Sequence, residues 1–164
     1  MDDKDFLTYF DNLIKADDKK ILENTENIIT TLSAVEHKGA NKSENTNSPL
    51  GHLVSEDLQY SIDRLLKGTV SDNIKTKTAF STALLGILRN FTNVQPDKYL
   101  EYVDKITDRK NAVTKGERSH FLLSRLIGIY ILIVSKRLEK LPNYLDIYIN
   151  IYTSLLENMN EGNW

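Results

Sequence analysis

Apolar residues recur along this chain at three- and four-residue intervals, the spacing of amphipathic helices, and not at every second position as in strands. Residues 60–81, YSIDRLLKGTVSDNIKTKTAFS, show it best. Tyr60, Ile62, Leu65 and Leu66 put apolar groups on one side of a helix predicted over about 55–67. Ala79, Phe80, Ala83, Leu84, Ile87, Leu88 and Phe91 carry the same spacing through a helix over about 72–91. Between them Gly68 offers a left-handed residue that ends the first helix. Ser71 and Asp72 offer side-chain oxygens to the unpaired N–H groups that start the second. The product is a two-helix hairpin, the unit of stacked helical repeats.

The rest of the chain repeats the pattern. A first helix over Asp3–Lys15 carries Phe6, Leu7, Phe10, Leu13 and Ile14, and a second over Asp18–Val35 carries Ile21, Leu22, Ile28, Ile29 and Leu32. Residues 37–53, HKGANKSENTNSPLGHL, have no period and are rich in Gly, Asn, Ser and Lys, which predicts a flexible loop inside one domain. Pro96 and Asp97 start a fifth helix with Tyr99, Leu100, Val103 and Ile106, proline being suited to a first turn that needs no N–H. A polar, basic loop over 107–116 leads to a sixth, strongly apolar helix over 117–138. Phe80 of the fourth helix and Leu126 of the sixth are expected to share a core. Pro142 starts a seventh helix that runs to about Asn158. The β-branched stretches 129–134 and 147–152 could read as strands, but they lie inside helical patterns. The fold class is therefore all-α, about seven helices in antiparallel hairpins stacked as an armadillo- or HEAT-like solenoid fragment, with 1–164 as one helical-repeat domain.

With 40% hydrophobic and 27% charged residues, 164 residues suit one soluble globular domain. There is no cysteine, so neither a disulfide framework nor a thiolate metal site is available. The start, MDDKDF, has no apolar secretory core. The longest apolar run, Leu126–Val134, is broken by Gly128 and falls well short of the roughly 20 residues of a membrane span, so no membrane partner is expected. The net charge of −2 hides an uneven distribution. Residues 1–36 hold nine acids and four bases, whereas 105–140 hold nine bases and three acids, a possible phosphate-attracting face.

No catalytic constellation is recognisable, and neither an enzyme nor a cofactor is expected. His37, His52 and His120 are scattered and lack the spacing of a zinc site. Asp17 and Asp18 read as charges at a helix N-terminus rather than as an acid–base pair. Gly116 and Gly128 are isolated, so no phosphate loop is present. Two surfaces remain. Lys75, Lys77, Lys105, Arg109, Lys110, Lys115 and Arg118 are the candidate contacts to an acidic protein segment or, weakly and without sequence preference, to nucleic acid. Tyr144, Tyr148 and Tyr152, four apart on the seventh helix, form with Ile149 a candidate protein interface. Leu145, Ile149 and Leu156 make a second side of that helix apolar. A helix apolar on both sides wants neighbours on both, which predicts a longer chain of which this is the N-terminal piece, or self-association.

The hairpin resembles the N-terminal region of the Myb-binding protein 1A family, also called DNA polymerase phi. The family pattern runs approximately Tyr-x-Leu-x-Arg-Leu-Ile/Val-x-Gly-Leu-x-Ser, then after a short spacer Ala-Arg-x-Gly-Phe-Ser. The chain has Tyr60, Ile62, Arg64, Leu65, Leu66 and Gly68, then Thr76, Lys77, Ala79, Phe80, Ser81, Leu84 and Leu85. Arg125, Leu126, Ile127 and Gly128 are similar to a later Arg-Leu-Phe-Gly of the family. Thr69, Asn73 and Ala79 depart from its leucine, arginine and glycine. The resemblance implies a nuclear and nucleolar helical-repeat protein that binds transcription or ribosome-assembly factors and supports ribosomal RNA gene transcription. The polymerase name implies no nucleotidyl transfer, which would need carboxylates placed to hold metal ions. The alternative is a free-standing helical-bundle adaptor unrelated to ribosome production.

Overall fold

The computed structural model describes residues 3–39, 47–108, 110 and 112–160. Seven α-helices make up the described residues: α1 (Asp3–Lys15), α2 (Asp18–Gly39), α3 (Glu56–Thr69), α4 (Ile74–Asn90), α5 (Pro96–Ile106), α6 (Lys115–Val134) and α7 (Tyr144–Asn160). The all-α reading and the seven helices stand. A two-residue ladder, β1 (Asn47–Ser48) antiparallel to β2 (Gly51–His52), and a 3-10 turn at Leu138–Lys140 are the additions.

Helix boundaries follow local chemistry. The Ser55 hydroxyl accepts from the Leu58 N–H at the start of α3. At the start of α6, Thr114 and Glu117 exchange side-chain and backbone bonds as a capping box. The cap of α4 differs from expectation: it is Asn73, whose side chain accepts from Lys75 N (2.9 Å) and Thr76 N, while the Ser71 hydroxyl accepts from Asn73 N.

The helices pack as three successive hairpins, α1 on α2, α3 on α4 and α5 on α6. Each hairpin leans on the next, α2 against α4, α4 against α6, and α3 against α5. α4 is the hub, in contact with α1, α2, α3 and α6, and its Ala79, Ala83, Leu84, Ile87 and Leu88 are buried. One apolar cluster runs from Phe10 and Leu13 of α1 to Leu132 of α6 and Leu138 of the 3-10 turn. α7 docks on that turn through its first half, where Tyr144, Ile147 and Tyr148 are partly buried.

The hairpin turn of α3 and α4 has a different construction from the one expected. Gly68 does not take a positive φ; it lies inside α3, which continues to Thr69 and is capped by Val70. Its role is room. A Cβ at Gly68 would lie 1.7 Å from Cδ2 and 2.0 Å from Cε2 of Phe80. The glycine therefore lets the Phe80 ring lie flush on the α3 backbone. Phe80 is buried, but against α3; Leu126 is only half-buried, and α6 sends Leu122, Ile129 and Leu132 inward instead. The expected Phe80–Leu126 pairing is corrected accordingly. The apolar stripes are also narrower than the sequence suggested, since Leu22 and Ile14 face solvent.

The segment 37–53 is more structured than its composition implied. α2 extends to Gly39, and the β1–β2 turn buries Leu50 completely. Gly51 has φ +134°, and a Cβ there would meet Gln95 Cγ at 2.9 Å and Asn93 O at 3.0 Å, so only glycine fits. Residues 40–46 lie outside the described residues. This turn is bonded to the α4–α5 connection through Gln95 N to Leu50 O (2.9 Å) and Asn93 Nδ2 to Leu53 O (2.8 Å). The Glu36 carboxylate of α2 accepts from both Ser55 N and Asn93 Nδ2.

The α6–α7 connection joins the same end through Arg137. Its guanidinium is buried and donates to four carbonyls, those of Leu88, Phe91, Thr92 and Val94. These are the unpaired acceptors that close α4 and begin the next turn, where a cation is favoured by the helix dipole. Burial holds the Arg137 pKa below its usual range. Glu36 and Arg137 thus tie three separate connections together.

Candidate functional site

An apolar groove lies between α4 and α6, with a volume of about 360 Å³. Ile74, Lys77 and Leu85 of α4 and Leu123, Ile127 and Tyr130 of α6 shape it. The two helices run in the same direction: Lys77 near the start of α4 bonds to Thr69, whose hydroxyl is bonded to that of Ser124 in α6, and at the other end the Arg89 guanidinium reaches the Val134 carbonyl (3.4 Å). Ile74 is 70% exposed, Tyr130 65% and Leu123 40%, so apolar side chains that could have turned inward stand in solvent.

The α4 wall appears polar in sequence, with Thr78, Ser81 and Thr82. In the fold each hydroxyl bonds to a carbonyl four residues back: Thr78 to Ile74 O (2.9 Å), Ser81 to Lys77 O (2.6 Å) and Thr82 to Thr78 O (2.9 Å). With their hydroxyls spent on the backbone, these residues present carbon to the groove. That is why periodicity missed the site: three hydroxyl residues hide an apolar wall.

Lys77 departs most from its expected role. It is 4% exposed, and its ammonium donates to Thr69 O (2.9 Å) at the end of α3. Burial lowers its pKa, with the charge of Asp72 opposing the shift. Lys77 is thus a buried cap for α3 at the groove floor and leaves the surface set of basic contacts. Among the remaining bases, Lys75 stands exposed in the first turn of α4. Lys105 is exposed in the last turn of α5 and Arg118 in the first turns of α6. Lys110 is exposed, its backbone N–H bonded to Asp108. Arg109 and the side chain of Lys115 lie outside the described residues. The bases Lys105, Lys110 and Arg118 share the α5–α6 end of one hairpin, and Lys75 belongs to the neighbouring one.

On α7 the tyrosines divide. Tyr144 and Tyr148 pack edge to face with centroids 6.3 Å apart and rest on the core. Tyr152, Ile149 and Leu145 are each at least 60% exposed. The side chain of Leu156 lies outside the described residues. Among the described residues no group of three or more His, Cys, Asp or Glu side chains is placed to hold a metal ion, and no helix is long and apolar enough to cross a membrane.

Sequence reasoning also missed Arg137. Its signal was present, a base directly after an apolar helix with no acid at helical spacing to pair with it, but its four acceptors are backbone atoms and leave no trace in composition. Comparison with known proteins gave no match among curated sequences and none among solved structures. The family model described as DNA polymerase phi matches residues 60–164, from the start of the Tyr60 motif through α4, the groove and α7. With the hairpin motif, the groove helices and the greater part of its length inside that match, the chain belongs to the DNA polymerase phi family.

Proposed function

We propose that this chain is a non-catalytic scaffold whose stacked hairpins form a solenoid-type array that docks protein partners. On this reading it acts in the nucleolus, in support of ribosomal RNA gene transcription and ribosome biogenesis, a role suggested by its family. The observation that carries the reading is the α4/α6 groove, an apolar channel with Ile74, Leu123 and Tyr130 exposed on the face of a packed array. Contiguous exposed apolar surface of this kind marks a binding site in soluble proteins. The succession of hairpins, each leaning on the next, supports the solenoid reading. Transcription or ribosome-assembly factors are the partners this reading assigns. Exposed Lys75, Lys105, Lys110 and Arg118 add a sequence-independent attraction for nucleic acid that phosphate neutralisation would make salt-dependent.

The test is depletion of the protein in cells, with pulse labelling of precursor ribosomal RNA and crosslinked recovery of its nucleolar neighbours. The reading expects labelling to fall and ribosome-assembly or transcription factors to be recovered. Unchanged labelling together with an absence of such neighbours would refute it and favour the free-standing adaptor.

A further inference from the structure

We propose that α7 is a hinged arm that comes away from the array as one unit, turning at the 141–143 link while α1–α6 stay folded. The motion does not depend on the scaffold role. Opening uncovers a contact surface that the closed array hides: the apolar side of α7 at Tyr144, Ile147 and Tyr148, and the part of the core on which it rests.

The first support is how α7 is held. Each of the other six helices buries two or more apolar side chains, such as Phe10 and Leu13 of α1 or Tyr99 and Val103 of α5. Over residues 144–153, where the side chains of α7 are described, none is fully buried. Tyr144, Ile147 and Tyr148 are partly buried, while Leu145, Ile149 and Tyr152 stand in solvent. Among the described residues, no hydrogen bond or ion pair joins α7 to another helix. Tyr144 N to Leu141 O (3.2 Å) and Ile147 N to Asn143 O (3.2 Å) stay within its own connection. The Tyr144–Tyr148 ring pair lies inside α7 and travels with it. Partly buried apolar contact is what closes the arm, and an element held so lightly opens at less cost than global unfolding.

The second support is where the tight packing ends. The buried Arg137 guanidinium donates to the carbonyls of Leu88, Phe91, Thr92 and Val94. Leu138, next to it, is fully buried. These two residues pin the chain to the end of α4. Further on, Pro142 has no N–H with which to continue a helix out of the 3-10 turn, so the turn and α7 are separate segments. Pro142 and Asn143 are both exposed, so rotation there displaces no packed side chain. A pinned residue, a short exposed link and a lightly held helix are the parts of a hinge.

The experiment uses the whole chain, which has no cysteine, so introduced cysteine pairs can be spin-labelled selectively. Asn90→Cys with Asn150→Cys reads the distance from α4 to α7, and Asn27→Cys with Asn90→Cys reads that from α2 to α4; all three positions are exposed. Double electron–electron resonance is expected to give one narrow α2–α4 distance, but a closed and a longer population between α4 and α7. Tyr148→Ala removes part of the closed contact and should raise the ratio of open to closed by about fivefold or more, with the α2–α4 distance unchanged. Ile147→Ala tests the same contact by a second route. Hydrogen exchange on the unlabelled chain gives an independent reading. The slowest amides of α7 should exchange at least about tenfold faster than the slowest of α4, with similar protection along the helix. One narrow α4–α7 distance that both variants leave in place, or α7 amides as slow as those of α4, would overturn the proposal. So would a spread of the α2–α4 distance in both variants, since the whole fold would then be loosening. Protection that falls steadily toward the far end of α7 would also overturn it, because that is fraying and not a hinge.

Discussion

Replacing Gly68 by alanine adds one methyl where α3 lies against the Phe80 ring. On an isolated helix this exchange is stabilising by about 1 kcal/mol, because alanine is the better helix former. Here the new Cβ would sit 1.7 Å from Phe80 Cδ2. Carbon atoms rest at about 3.5–4.0 Å, so the ring would have to retreat by roughly 2 Å. A ring that is 4% exposed inside a close-packed core has no such space. It must leave its rotamer and give up much of the roughly 3–5 kcal/mol that its burial contributes. After the helix-propensity gain, the net expectation is a loss of about 2–3 kcal/mol. Urea denaturation of Gly68→Ala, Phe80→Ala and the double variant measures it. With the ring gone the methyl has room, so the double variant should be more stable than the sum of the single losses implies, by about 2 kcal/mol. A neutral or stabilising Gly68→Ala, or strict additivity, would refute the close-approach account of this glycine.

Arg137→Met leaves four carbonyls, three of them buried, without their donor, and a loss of about 3 kcal/mol or more is expected by denaturation; Arg137→Lys should recover less than half of it, because an ammonium cannot reproduce the planar fork. Burial raises the phenol pKa of Tyr99, which donates to Gly128 O, and burial with the Asp63 carboxylate raises that of Tyr102. Both phenols stay protonated in the folded chain after the unfolded chain has lost its protons, so their stabilisation is complete below pH about 10 and falls above it by about 1.4 kcal/mol per pH unit for each phenol. The lowered pKa of Lys77 acts in the opposite sense below about 10.5 but is common to parent and variant, so urea midpoints across pH 8–11 should show a shallower alkaline decline in Tyr99→Phe. Self-association through the exposed side of α7 is expected in light scattering at high concentration and should be lost in Ile149→Glu; a parent chain that stays monomeric would show that this side needs no second copy.

The fold was largely legible in the sequence and the site only partly. Period-3.6 stripes in α1, α3 and α5 located those helices to within a residue or two, because each has one buried face. Leu50 was lost among Gly, Asn and Ser, since a single buried side chain in a tight turn has no period. Gly68 was identified as special for the wrong reason: a glycine that ends a helix and one that admits a neighbouring ring look alike until the neighbour is placed. Lys77 read as a surface base because a charge buried against a backbone carbonyl cannot be seen in one dimension. The groove was hidden by hydroxyls whose bonds return to their own helix. Apart from those hydroxyls, each miss concerns a partner that only the packing of separate elements brings close, which is information that local patterning does not carry.

The most direct measurement of the central claim is rescue of precursor ribosomal RNA synthesis in depleted cells by the parent chain and by Ile74→Glu/Tyr130→Ala in its place. The account expects full rescue by the parent, and little rescue by a groove variant that is equally abundant and equally folded. Full rescue by the groove variant would contradict the claim that this fold works by docking a partner between α4 and α6.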